Sequence, residues 1–287
     1  MGRLLGCFFL VLLVAAADAQ ESQLQVPQHV TAGTSISIPT SGRGSAIFYL
    51  VGPTAAVKRR VELGSPIQVS PEVVRAAGRY VAILRGGGAD ASGSFFVQAA
   101  NPAKLSFLAH PSRVPVAQSD GILGVAFVFD AYENLVFRPE NVNFRLAVEN
   151  ENSERTVTTR EGVAWVLMPS TKKAGNASFT AAIGDVAEKR VIQEVASDPC
   201  NLRMKAERSG KGIVAETEPV RDCSGNPVPD GTVVTFTATD SSGKSTVDAP
   251  IKKGIARAEL AASKGPATVS VASGVVMGNE VQVGGGE

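Results

Sequence analysis

The 287-residue chain predicts an all-β protein, built as three tandem β-sandwich domains behind an N-terminal signal peptide. Two observations carry that reading. Past the leader, the apolar runs are short, rich in β-branched and aromatic residues, and broken by Gly, Pro and Asn-Pro turns. From about residue 102 onward the sequence also repeats itself at a spacing of about 90 residues, the size of one sandwich.

The leader comes first in the chain. Arg3 is followed by an apolar run from Leu4 to Ala17 and small residues at Ala17 and Ala19, the layout of a secretory signal peptide (1–19) cut after Ala19. That run is too short to span a bilayer comfortably, and no later segment is long enough, so the mature chain is expected to have no transmembrane segment. Leu4-Leu5-Gly6-Cys7 imitates a lipoprotein box, but its cysteine precedes the apolar core instead of following it. Export implies a secreted, cell-surface or periplasmic protein. Cys200 and Cys223 are the cysteines left in the mature chain, and an oxidising compartment makes a disulfide between them the natural reading, with two separate buried thiols as the alternative. Closing that loop would contribute about 3 kcal/mol.

Composition narrows the function. An apolar fraction of 44% is that of a globular protein. Residues 20–101 hold seven Lys and Arg against four Asp and Glu, residues 102–198 ten against twelve, and residues 199–287 ten against ten. No segment carries the basic excess that nucleic-acid binding requires.

In the first domain, 20–101, strands are expected at 35–38, 46–51, 57–63, 67–69, 79–84 and 94–98, with one helical turn at Pro71–Ala77 ended by Gly78. Lys58-Arg59-Arg60 reads as a basic cluster on a solvated edge strand, a device that discourages aggregation, with a negatively charged partner as the alternative. Gly86-Gly87-Gly88 reads as a hairpin turn, since no helix and no Lys-Ser/Thr follow to make a phosphate cradle. Ala76-Ala77-Gly78-Arg79-Tyr80-Val81-Ala82 resembles the tyrosine corner of immunoglobulin-type sandwiches, with Ala82 in place of the core cysteine.

The second and third domains, 102–198 and 199–287, are the two copies of the repeat. Asp130 to Val136 aligns with Asp222 to Val228 at an offset of 92, which holds through Val142-Asn143-Phe144 against Val234-Thr235-Phe236 and Gly162 against Gly254. Gly175 and Gly184 fall on Gly265 and Gly274 two residues closer, and Pro102 to Ala109 on Pro199 to Ala206 at 97. Asn134 and Asn226 are expected to take the left-handed or Asx-capped place in a tight turn, and Gly162 and Gly254 to clear space for one. Val142, Phe144, Val234 and Phe236 should point into cores. A strand is expected over Thr232–Thr239, then a break at Asp240–Gly243, then a strand from Gly254 with Ala256, Ala258 and Leu260 on one face. Cys200 is placed at the start of the third domain's first strand, and Cys223 in the loop after its second, one edge of the sandwich.

Gly225-Asn-Pro-Val-Pro-Asp-Gly-Thr-Val-Val-Thr-Phe236, with Gly254 to Ala258 and Ala267 to Val271, resembles the bacterial immunoglobulin-like domains of invasin and intimin type. The resemblance extends over 199–283, more loosely over 102–198, and only as a general immunoglobulin-like pattern over 26–101. It implies a seven- to nine-stranded sandwich used as a spacer or adhesive module, and no catalytic residues. The fold class is therefore three tandem immunoglobulin-like β-sandwich domains after a signal peptide.

Candidate chemistry is sparse. His29 and His110 are the only histidines, neither has a Gly-x-Ser-x-Gly elbow, and two distant histidines with two cysteines make no zinc cluster. Glu149–Glu154 reads as a solvated hairpin tip, lacking the alternating acids of a calcium loop. No enzyme activity, cofactor or metal is expected. Trp165 alternates with Ala164 and Val166 where the third domain has Arg257, so it either packs against another part of the chain or contacts a partner. The functional expectation is an exported adhesion, interaction or spacer module binding an unidentified protein or glycan. The alternative is a periplasmic assembly subunit that pairs a strand edge with a partner chain.

Overall fold

A computed structural model of the chain describes residues 24–86, 89–210, 212–262 and 265–284. The leader read at 1–19 and the Gly87-Gly88 pair lie outside them. The chain forms two compact units, Met1–Ala100 and Asn101–Glu287, both built from β-strands.

The first unit contains β1 (His29–Thr31), β2 (Ile36–Ile38), β3 (Ser45–Val51), β4 (Ala56–Glu62), β5 (Ile67–Val69), β6 (Gly78–Gly86) and β7 (Ala89–Gln98). A five-stranded sheet runs β1-β7-β6-β3-β4, and β2 pairs with β5. Alternation sends Phe48, Leu50, Tyr80, Leu84 and Phe95 inward to full burial. The tyrosine corner is formed: Tyr80 Oη lies 3.2 and 3.1 Å from the carbonyl oxygens of Val73 and Ala76, and its ring stacks on Phe95 at 5.5 Å. Burial raises the phenol's pKa, so it stays a donor. The helical turn is a 3-10 turn, Pro71–Val74; Gly78 does not cap it but opens β6 at φ +141°, where a side chain would strike Pro53. β4 is a sheet edge, and Lys58, Arg59 and Arg60 are exposed on it.

The second unit holds two pairs of sheets. The strands β8 (Pro102–His110), β10 (Ile122–Asp130) and β13 (Val163–Met168) form a sheet ordered β13-β10-β8. Facing it are β12 (Glu151–Thr158), β11 (Asn141–Val148), β14 (Gly175–Ile183), β15 (Val186–Val195) and β9 (Arg113–Pro115), in that order. Between the two sheets Phe107, Phe144 and Phe179 meet with ring centroids 5.0 to 6.3 Å apart.

The second pair consists of β16 (Met204–Ser209), β17 (Gly212–Thr217) and β20 (Arg257–Ala261) against β19 (Gly243–Pro250), β18 (Val233–Asp240), β21 (Ala267–Ser273) and β22 (Val276–Val283). Its core is a separate cluster running from Leu202 to Val283 around Phe236. Val142, Phe144, Val234 and Phe236 are all fully buried, as their alternation requires.

The repeat's turns differ in detail from expectation. The left-handed residues are Glu133 (φ +68°) and Gly225 (φ +87°), not the following asparagines. The Asx cap is Asp130 or Asp222: Asp130 Oδ1 accepts from the Tyr132 and Asn134 N–H groups, and Asp222 Oδ1 from those of Ser224 and Asn226. Asn134 and Asn226 then donate their amides to the same carboxylates. The Glu161-Gly162 and Lys253-Gly254 turns have positive φ at both central residues, as a two-residue hairpin turn needs. A side chain on Gly162 would strike Leu135 at 2.5 Å, whereas nothing stands near one on Gly254, so there the reason is conformational alone.

Candidate interaction surface

The strand β10 explains the surface. Its sequence ILGVAFVFD is apolar on both faces, so alternation alone does not say which face is the core. The structure turns Ile122, Gly124, Ala126 and Val128 inward, because the three phenylalanines already fill the space: a Cβ on Gly124 would lie 2.7 Å from Phe179 and 3.2 Å from Phe107. The larger residues Leu123, Val125, Phe127 and Phe129 therefore face out.

Cross-strand register assembles them into rows. Val125 sits between Leu108 on β8 and Trp165 on β13, and Leu123 between His110 and Leu167. Trp165 is 62% exposed and Leu108 58%, so the indole is outward on the sheet's surface. The second copy supplies an internal control at the same rows. There Glu216 sits between Lys205 and Arg257, with Arg257 Nη1 3.5 Å from the Glu216 carboxylate, and Val214 sits between Glu207 and Glu259. In the Trp165 row one copy is charged at all three positions and the other aliphatic and aromatic at all three.

The rim is polar. Lys104 Nζ lies 2.9 Å from Glu133 Oε1, and the Arg155 guanidinium donates to the Leu167 carbonyl at 2.7 Å, covering part of the β13 edge. His110 is exposed at the end of β8; His29, in the first unit, stacks near Phe96 and lies 3.4 Å from the Gln98 amide. Among the described residues no three His, Cys, Asp or Glu side chains come together as a metal site, and no helix is long and apolar enough to cross a membrane.

Glu149–Glu154 is only partly a hairpin tip. The turn is at Glu149 (φ +47°), and Glu151 onward is strand β12, whose Glu151 carboxylate accepts from the Lys172 N–H at 2.9 Å. Cys200 and Cys223 form a disulfide with Cα atoms 4.9 Å apart. Cys200 is not at the start of a strand: it lies in the segment before β16, with its N–H on the Arg221 carbonyl at 2.8 Å. The bond therefore ties that linking segment to the Asp222 turn. Spacing along the sequence did not reveal this, because the segment's pairing depends on contacts between distant turns.

The sequence matches no protein-family model and no curated protein. Its fold has solved counterparts. The chain aligns with the Escherichia coli adhesin FdeC at a TM-score of 0.60 and 14% identity, covering 92% of this chain and 98% of that one. It aligns with Yersinia pseudotuberculosis InvD at 0.52 and 12%, covering 91% and 95%. Against invasin, a bacterial integrin-binding protein, the values are 0.50 and 12%, covering 91% of this chain and 58% of that one. At such identities the likeness is one of fold, and the fold is that of the bacterial immunoglobulin-like domains of invasin type.

Proposed function

We propose that this is an exported, non-enzymatic adhesion-type module of three immunoglobulin-like domains, 20–101, 102–198 and 199–287. In this reading the middle domain contacts a protein partner through the outer face of β8, β10 and β13, with Trp165 as its anchor on the β13 edge. The observation that carries it is the Leu108–Val125–Trp165 row, which is charged at every equivalent position of the following copy. Exposed aromatic and aliphatic side chains cost solubility, and a large exposed aromatic within such a patch is a typical anchor for binding. The neighbours of Trp165 in the row are aliphatic, which favours a protein over a glycan, whose hydroxyls need polar partners beside the stacking ring. The adhesin and integrin-binding roles of FdeC and invasin agree with this class.

Strand-edge pairing has less support. The edge strand β4 carries Lys58, Arg59, Arg60 and Glu62, and β12 carries Glu151, Glu154 and Arg155, charges of the kind that keep edges unpaired.

The test transfers the charged row onto the apolar one: Leu108→Lys, Val125→Glu and Trp165→Arg together. Binding to a panel of purified matrix proteins and cell-surface receptor ectodomains should fall at least tenfold. Leu108 and Trp165 are exposed, and substitutions there should each change stability by about 0.5 kcal/mol or less, so the Leu108→Lys, Trp165→Arg pair serves as a control without the half-buried Val125. Unchanged binding to every member that the parent chain binds would overturn the assignment.

A further inference from the structure

The turn that the repeat conserves in both copies does a second job in the later one. Asp222 and Asn226 are 4% and 5% exposed, and their side chains bond one another and backbone groups of the preceding sheet pair and of the linking segment. Asn226 Oδ1 accepts the Ala174 N–H at 2.9 Å, and Asn226 Nδ2 donates to the Lys172 carbonyl at 2.8 Å, so one amide grips the loop between β13 and β14 of the preceding sheet pair. Asp222 Oδ2 accepts the Ser197 N–H at 3.1 Å, in the segment joining β15 to β16. Pro199 bridges Asp222, the Cys200 N–H bonds the Arg221 carbonyl, and the disulfide closes on Cys223 beside them. The gripped loop is fastened from its other side, where the Thr171 N–H and hydroxyl both donate to the buried Glu194 carboxylate.

These contacts share a place. Cys200 is half-buried and Cys223 exposed, and neither belongs to the core of the later sheet pair. A bond meant to hold that sandwich would join its strands; this one joins the linking segment to the turn that grips the neighbouring sandwich. We infer that Cys200–Cys223, Asp222 and Asn226 form an inter-domain lock. The disulfide pins segment 196–203 against the turn, the Asp222–Asn226 pair couples that turn to loop 171–174, and the two sandwiches are thereby held at one angle. The inference rests on reading 102–198 and 199–287 as separate domains. The lock presents the Trp165 face in a fixed orientation relative to the last domain. It is also conditional on redox state: a dithiol gives two electrons and two protons to the S–S bond, becomes a disulfide itself, and leaves two thiols with the sandwich folded and the joint loose.

Amide hydrogen exchange of the full mature chain, followed residue by residue by NMR, tests this. The variants are Cys200→Ser with Cys223→Ser, and Asn226→Ala. The serine pair should speed exchange at the backbone amides of Ser197, of position 200 and of Ala174 by tenfold or more, while the core amides of β11, β14 and β18 keep their parent rates. In Asn226→Ala the acceleration should be confined to Ala174 and its loop, with the disulfide intact. Three outcomes would overturn the lock. If β18 alone accelerates in the serine pair, the disulfide stabilises its own sandwich. If the linking and loop amides do not change in either variant, nothing there is locked. If β11, β14 and β18 accelerate together, the two sheet pairs are one cooperative body, and it is the division into domains that fails.

Discussion

At the scale of single residues, two buried carboxylates respond to pH in opposite directions. Burial works against the charge on Asp222, but hydrogen bonds from the Asn226 side chain and from the N–H groups of Asn226, Ser197 and Ser224 outweigh it and lower its pKa below the ordinary 3.8. Its contribution is present above that ordinary value and is lost as pH falls through the depressed one. Glu194, 2% exposed, is raised above 4.5, first by burial and further by the Glu151 charge, against the two bonds from Thr171; its Oε1 has no hydrogen-bond partner among the described residues. Its folded form holds the proton more tightly, so its contribution is complete below pH 4.5 and disappears as pH rises through the folded pKa. Glu194→Gln removes that titration. The parent's melting midpoint should therefore fall relative to the variant's between pH 4.5 and 7, and parallel pH profiles would refute this. Neither carboxylate stood out in the sequence. Glu194 looks like any strand glutamate, and the Asp222 and Asn226 positions announced a turn without announcing that Asn226 reaches a loop 52 residues away.

At the scale of strands, legibility followed burial. The sequence showed β18 because β-branched and aromatic residues dominate Val233–Thr239, with Val234, Phe236 and Ala238 on one face, and showed the tyrosine corner because its residues are contiguous. It did not show β19 or the extent of β12, which are sheet edges: Gly243–Pro250 buries only Ala249, and Glu151–Thr158 buries none of its residues. An edge strand held mainly by backbone pairing on one side leaves no period-2 pattern to read. The same reasoning explains why β10 was ambiguous, being apolar on both faces. Gly124 decides its orientation, and that gives a test. Gly124→Val would press a branched side chain onto Phe179 and Phe107, and overpacking of this kind costs about 1–3 kcal/mol. Denaturant unfolding should show a loss in that range; a neutral result would mean that the aromatic trio has room to move and that packing does not force the large side chains outward.

At the scale of the molecule, the repeat and the separate cores make the sandwich the unit of stability, while the lock makes the pair of sandwiches the unit of orientation. These are different properties with different energies. Phe236 is fully buried in the cluster that runs from Leu202 to Val283, and truncating it to alanine costs about 3–5 kcal/mol, enough to unfold a small sandwich. The lock, in contrast, joins the neighbours by a few hydrogen bonds of about 1 kcal/mol each, too little to transmit that loss. The chain carries a single tryptophan, and it lies in the preceding sandwich, so Trp165 reports on that sandwich alone. In Phe236→Ala, far-ultraviolet circular dichroism should acquire an early transition while the Trp165 fluorescence midpoint stays near the parent value. If both signals shift down together by the same amount, the two sandwiches fold as one body, and the repeat describes ancestry and shape but not cooperativity.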